Sequence, residues 1–192
     1  MNTLKNKRVW IAGHTGLVGK ALLRRLKDDC DIITSDIDLR DQSATYKWIA
    51  KNKPDVVFLA AARVGGIHAN NTHPAEFIHD NLSIQNNVIH GCYLADVQEL
   101  LFLGSSCIYP KHCEQPMRED MLMSGELEPT NAPYAMAKLA GMEMCKSYNR
   151  QYGRRYISIL PTNLYGPHDN FHGKNSHVPA AFLSRFHDAK IN

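Results

Sequence analysis

Three features of the sequence predict an α/β fold, a Rossmann-like doubly wound parallel sheet with an incomplete C-terminal substrate lobe. Short apolar runs alternate with stretches of helical period. A glycine-rich turn joins the first apolar run to the first helical stretch. The alternation stops at Pro161, where an irregular segment rich in Asn, His and Gly takes over. Apolar strands separated by helices imply parallel strands covered on both faces. Right-handed crossovers then wind the sheet in both directions.

Val9-Trp10-Ile11-Ala12 follows Lys7-Arg8 and stops at Gly13, so it reads as a buried strand. The stretch after it carries Leu17, Val18, Ala21, Leu22 and Leu26 on one helical face. Residues 32–34 read as a second strand, 42–51 as a helix, and 55–60 as a third strand opened by Pro54. Pro74 starts a long helix to about residue 95, with Phe77, Ile78, Leu82, Ile89 and Leu94 as its apolar side. Residues 100–103 form a fourth strand stopped by Gly104, 133–152 a helix, and 156–160 a fifth strand stopped by Pro161. Residues 167–176 read as a loop, and a further helix begins near Pro179. This places a dinucleotide-binding domain at residues 1–161 and the start of a substrate-binding lobe at 162–192. With the chain stopping just after that helix, the lobe is expected to be incomplete.

Composition narrows the function. The 22 Lys and Arg against 19 Asp and Glu leave a net charge of +3, and no basic cluster interleaves with aromatics, so a nucleic-acid partner is not expected. No apolar run is long enough to span a bilayer, and the apolar stretch near the N-terminus is too short for a signal peptide. The five cysteines (Cys30, Cys92, Cys107, Cys113 and Cys145) contain no C-x-x-C pair, which suits a reduced, cytoplasmic setting.

Gly13-His14-Thr15-Gly16-Leu17-Val18-Gly19 lies between the first strand and the first helix. In that context a glycine triplet forms a tight turn whose N–H groups and helix N-terminus can receive a pyrophosphate. An acidic residue beyond the second strand would accept the adenosine ribose hydroxyls. Asp36 is placed for this, while Asp38 and Asp41 could equally cap a helix or lie in solvent.

Tyr134 and Lys138 are four residues apart, on one helical face. A neighbouring ammonium would lower the phenol pKa, fitting Tyr134 to exchange a proton with a carbonyl oxygen as hydride arrives at carbon. Ser105, at the end of the fourth strand, could donate to the same oxygen, or simply terminate the strand. Cys107 is either a proton-transfer thiol or a small apolar residue at the strand end. His177 is the candidate second acid from the irregular segment. Metal binding by His168, His172 and His177 is disfavoured, because Pro167 and Gly173 interrupt any helical platform and no further ligand completes the set.

In this order, the glycine turn, the strand-end serine and the Tyr/Lys pair resemble the extended, nucleotide-sugar-modifying branch of the short-chain dehydrogenase/reductase superfamily. Four stretches carry a closer likeness: Ala60-Ala61-Ala62-Arg63-Val64-Gly65-Gly66-Ile67, Gly104-Ser105-Ser106-Cys107-Ile108-Tyr109-Pro110, the run Pro161-Thr162-Asn163-Leu164-Tyr165-Gly166-Pro167-His168-Asp169-Asn170-Phe171, and Asn175-Ser176-His177-Val178. They resemble the GDP-L-fucose synthase family. That resemblance implies epimerisation of GDP-4-keto-6-deoxy-D-mannose at C3 and C5, followed by reduction at C4 with NADPH, in a homodimer. It also implies a role for each matching residue. Cys107 would be base and His177 acid, with Ser105, Tyr134 and Lys138 at the ketone and cofactor. Gly13, Gly16, Leu17, Val18, Gly19, Asp36, Asp38, Ala60, Ala61, Lys138, Pro161, Asn163, Leu164 and His177 would line the NADP(H) site. Ser105, Ser106, Cys107, Tyr134, Asn163 and Arg185 would meet the substrate.

Two departures qualify this. Thr15 stands where the family often has an arginine for the cofactor's 2′-phosphate, and Asp36 would suit NAD(H) instead, so the residues leave NAD(H) open. Family members also continue well past Asn192. The rival readings are a non-catalytic dinucleotide-binding remnant and a 4-epimerase of another nucleotide sugar. Retention of the Ser105, Cys107, Tyr134, Lys138 and His177 set argues against the first. Cys107 and the stretch around His177 argue against the second.

Overall fold

The computed structural model describes residues 4–171, 176 and 178–191. Five parallel strands form one sheet: β1 (Arg8–Ala12), β2 (Asp31–Ile33), β3 (Val56–Leu59), β4 (Glu99–Leu103) and β5 (Arg155–Ile159). Their spatial order is β2-β1-β3-β4-β5. The chain moves outward from β1 to β2, returns past β1, and continues through β3 to β5. Strand order therefore reverses between β1 and β3, where open parallel sheets bind ligands.

The helices are α1 (Leu17–Leu26), α2 (Gln42–Asn52), α3 (Ile67–Thr72), α4 (Pro74–Leu94), α5 (Ala132–Tyr152) and α6 (Val178–Ile191). Local chemistry sets their ends. Asp41 caps α2 by accepting from the Ala44 N–H at 3.0 Å, so helix capping is its role. Pro74 and Pro133 lie in the first turns of α4 and α5, where a missing N–H costs nothing. Gly153 ends α5 in the left-handed region, with its N–H on the Asn149 carbonyl. The short α3 was absent from the sequence expectation. It spans six residues, and Ile67-His68-Ala69-Asn70-Asn71-Thr72 has no apolar period to reveal it.

Right-handed crossovers put α2, α4 and α5 on one face, and contacts of α4 with both α2 and α5 match this. The core fills that side: Trp10, Val57, Leu100 and Phe102 of the sheet pack with Ile49, Val88, Ile89, Ala135 and Met142 of the helices. Trp10 stacks on Trp48 with ring centroids 4.5 Å apart, and its indole N–H donates to Ser35 Oγ at 3.3 Å. The opposite face is covered at its centre, where Val9 and Ile11 are fully buried, and departs from the expectation of two covered faces only at its β5 flank. Among the described residues its crossover helix is α1, packed on β1. Ile157 and Ile159 of the edge strand β5 are 59% and 41% exposed. Helix α6 buries only Ala180 and leaves Phe182, Leu183 and Phe186 in solvent.

Candidate active site

A cleft of about 1030 Å³ runs along the carboxyl ends of the strands, across the β1/β3 reversal. Its floor is the glycine turn. Gly13 has φ +94°, which side chains rarely adopt, and a Cβ there would sit 2.5 Å from the Ala61 amide nitrogen. The end of β1 is thus pressed against the end of β3. A Cβ on Gly19 would overlap the Gly13 carbonyl oxygen, so Gly19 lets α1 seat against the turn and does not itself line the cleft. Gly16 differs: the nearest atom to a Cβ there is the Gly13 carbonyl oxygen at 3.6 Å, and the space beyond is open. No side chain caps α1 and no acid occupies its first turn. Gly16 and the first residues of this helix line the cleft with no side-chain cap on their N–H groups, so the cradle fits a dinucleotide pyrophosphate. Leu17 and Val18 complete this wall.

Beyond β2 the cleft is lined by Ser35, Asp36, Ile37, Asp38 and Leu39. The Asp36 side chain is 95% exposed, with His14 Nε2 3.6 Å from its carboxylate. Asp38 accepts from Arg40 Nη2 at 2.8 Å and Nε at 3.0 Å, which holds its carboxyl below the usual carboxylate range. Ala60, Ala61 and Ala62 form the wall beyond β3. Asn81 of α4 fixes the chain that follows, accepting from the Arg63 N–H at 2.9 Å and donating to the Arg63 carbonyl at 3.0 Å.

The other end gathers most of the candidate catalytic groups. After β4 the chain makes a single 3₁₀ turn, Ser106–Ile108, with Ser105 Oγ accepting from the Cys107 N–H at 3.2 Å. The Gly104 N–H donates to the Ile159 carbonyl and the Ser106 N–H to the Pro161 carbonyl, which locks the ends of β4 and β5 together. Ser105, Cys107, Tyr134, Lys138, Pro161, Asn163 and Leu164 all line the cleft. Ser106 does not; its backbone serves the strand junction instead.

Lys138 Nζ donates to the Leu103 carbonyl at 2.7 Å and lies 4.8 Å from the Phe102 ring centroid. Burial holds its pKa down at about 8. The Tyr134 phenol is pushed up to about 12, first by burial and then by the neighbouring Cys107, with Ser105 pulling it back. This corrects the expectation that the lysine would lower it. Lys138 is 5.8 Å from the Tyr134 ring and bonded to a carbonyl, so desolvation of the phenolate dominates. The phenol is therefore held protonated, as a donor.

His177 lies outside the described residues, as does His172. Arg185 is exposed on α6 and is not part of the cleft wall. The cleft residues that went unassigned in the sequence include the polar side chains of His68, Asn70, Asn131 and Asp169. Asn131 carried a signal, since it precedes Tyr134 by three residues at the N-cap of α5. Asn70 had none, because its helix was invisible. Among the described residues no group of three or more His, Cys, Asp or Glu could hold a metal ion.

The chain is 55% identical over 191 residues to a GDP-L-fucose synthase from Escherichia coli K12, and 51% identical over 193 residues to GDP-L-fucose synthase 1 of Arabidopsis thaliana. These matches cover 97% and 98% of this chain and 60% of each relative, so the chain spans about three-fifths of their length. Among solved structures it resembles a GDP-D-glycero-L-gluco-heptose synthase from Campylobacter jejuni crystallised with NADPH, at TM-score 0.91 and 40% identity over 95% of this chain and 55% of that one. It also resembles a GDP-L-fucose synthetase from Naegleria fowleri bound to NADP, at TM-score 0.87 and 30% identity over 98% of this chain and 64% of that one. Residues 9–192 match the NAD dependent epimerase/dehydratase family, and the chain belongs to that family.

Proposed function

We propose that the protein carrying this chain epimerises GDP-4-keto-6-deoxy-D-mannose at C3 and C5 and then reduces C4 to give GDP-L-fucose. The observation that carries the reading is a cysteine, Cys107, on a cleft-lining turn next to the equally cleft-lining Tyr134. Hydrogens on the carbons flanking a ketone are acidic, because the resulting charge rests on the ketone oxygen. Ser105 and Tyr134 are placed to hold that oxygen. Cys107 takes a proton from one face of C3 or C5, and His177 returns one to the other face. The same oxygen then receives the Tyr134 proton as C4 is reduced, so one constellation serves both reactions. The dinucleotide, NADP(H) as in the relatives solved with it, supplies the hydride. Gly13, Gly16 and the N–H groups of α1 hold its pyrophosphate. Ala60, Ala61, Pro161, Asn163 and Leu164 flank it, and Lys138 anchors its nicotinamide ribose. The GDP diphosphate falls to the lobe that begins at residue 162, where α6 offers Arg185. We further infer that the enzyme works in the cytoplasm as a homodimer, which suits its five free thiols.

The test is solvent deuterium exchange into GDP-4-keto-6-deoxymannose. Cys107→Ser is expected to keep cofactor binding and lose exchange at C3 and C5. Tyr134→Phe is expected to lower the reduction step by about 10²-fold or more. Undiminished exchange in Cys107→Ser would remove the thiol from its role.

A further inference from the structure

We propose that the ribose end of this cleft accepts NADH at least as well as NADPH, and that Asp36 is the residue that sets this balance. The inference rests on reading the cleft as a dinucleotide site and adds which dinucleotide it favours. The two cofactors differ by one phosphate on the adenosine ribose, carrying a charge of about −1.5 to −2 near neutral pH. A site that selects the phosphorylated form needs a cation to meet that charge, and a site for the other form uses a carboxylate on the ribose hydroxyls.

The charges here run the second way. Asp36 and Asp38 both line the cleft beyond β2, while Thr15, Ser35 and Ile37 contribute none. Among the described residues the only Lys or Arg lining the cleft is Lys138, at the catalytic end. The nearby guanidiniums are engaged elsewhere. Arg40 grips Asp38 and lies 3.4 Å from Asp80 Oδ1, and Arg63 binds the other oxygen of Asp80 at 2.7 Å. Neither arginine lines the cleft. The basic group beside Asp36 is His14, 3.6 Å from its carboxylate and charged only when protonated. A 2′-phosphate would thus meet an exposed carboxylate with no lysine or arginine among the described residues lining that end of the cleft to offset it. The two hydroxyls of NADH would find an acceptor.

Direct titration of this chain with NADH and NADPH, followed by nicotinamide fluorescence, tests the inference without requiring turnover. NADH should bind at least as tightly as NADPH. Asp36→Asn should move the ratio toward NADPH by about threefold to tenfold, and Asp36→Arg further. Higher ionic strength should narrow the gap in the unaltered chain, because the repulsion is solvent-exposed. Tighter binding of NADPH than of NADH, or an unchanged ratio in Asp36→Asn, would overturn the assignment. Binding of neither dinucleotide would overturn the reading of the cleft itself, and this inference with it.

Discussion

Lys138 shows how a residue can be legible in sequence while its environment is not. Its four-residue spacing from Tyr134 could be read directly. Its bond to the Leu103 carbonyl could not, because the partner is 35 residues away. The same gap inverted the expected effect on Tyr134, where burial outweighs the distant ammonium. The consequence is measurable. With its folded pKa at about 8, Lys138 binds fewer protons in the folded chain than in the unfolded chain between there and the ordinary value near ~10.4. Its burial is therefore most costly below pH ~8, and the cost fades as pH rises toward ~10. Lys138→Met should raise thermal stability near neutral pH by on the order of 1–3 kcal/mol, with the gain shrinking above pH ~9. Calorimetry across that range checks it. No gain near neutral pH would mean that the Leu103 hydrogen bond outweighs the desolvation. Asp41 teaches the reverse lesson: helix capping was one of the readings its sequence position allowed, and a local bond to Ala44 decides it.

At the scale of elements, strands and long helices announced themselves because each buries a periodic face. The five strands and helices α1, α2, α4 and α5 were readable on that ground, whereas α6, which buries only Ala180, was read from its Pro179 start. Helix α3 was not, since its residues are held by backbone and side-chain amides rather than by an apolar stripe: Asn70 Nδ2 donates to the Gly65 and Gly66 carbonyls. Nor does strand hydrophobicity reveal which face a neighbour covers, so the open flank of β5 went unseen. The α4/α5 contact offers a sharp test of packing. A Cβ on Gly141 would lie 2.5 Å from Phe102 Cζ and 2.8 Å from Gln85 Oε1. Neither can yield: Phe102 is core, and Gln85 Nε2 is bonded to the Ala137 carbonyl at 2.6 Å. Gly141→Val should lower stability to urea by about 2–3 kcal/mol. A smaller loss would mean that α5 can slide off β4.

For the molecule as a whole, stability is unevenly distributed. The β1, β3 and β4 strands and helices α2, α4 and α5 share one buried cluster, whereas α6 contributes a single buried alanine. Local opening follows buried apolar contact. Amide hydrogen exchange should therefore be fast throughout Val178–Ile191 and slow in the middle of α5. Comparable protection in both helices would require α6 to be covered, by another copy of the chain or by other chain segments. The proposed catalytic and substrate-binding residues divide along the same line. Ser105, Cys107, Tyr134 and Lys138 stand on the firm part, while Arg185 rides on the loose helix.

The stacked indoles have a practical corollary. They are the two tryptophans of the chain, and the inner one is tethered through Ser35 to the cleft wall where an adenosine would settle. Intrinsic emission thus originates one hydrogen bond from that wall, and titration with the proposed dinucleotide is expected to change it, giving a label-free optical gauge of nucleotide arrival.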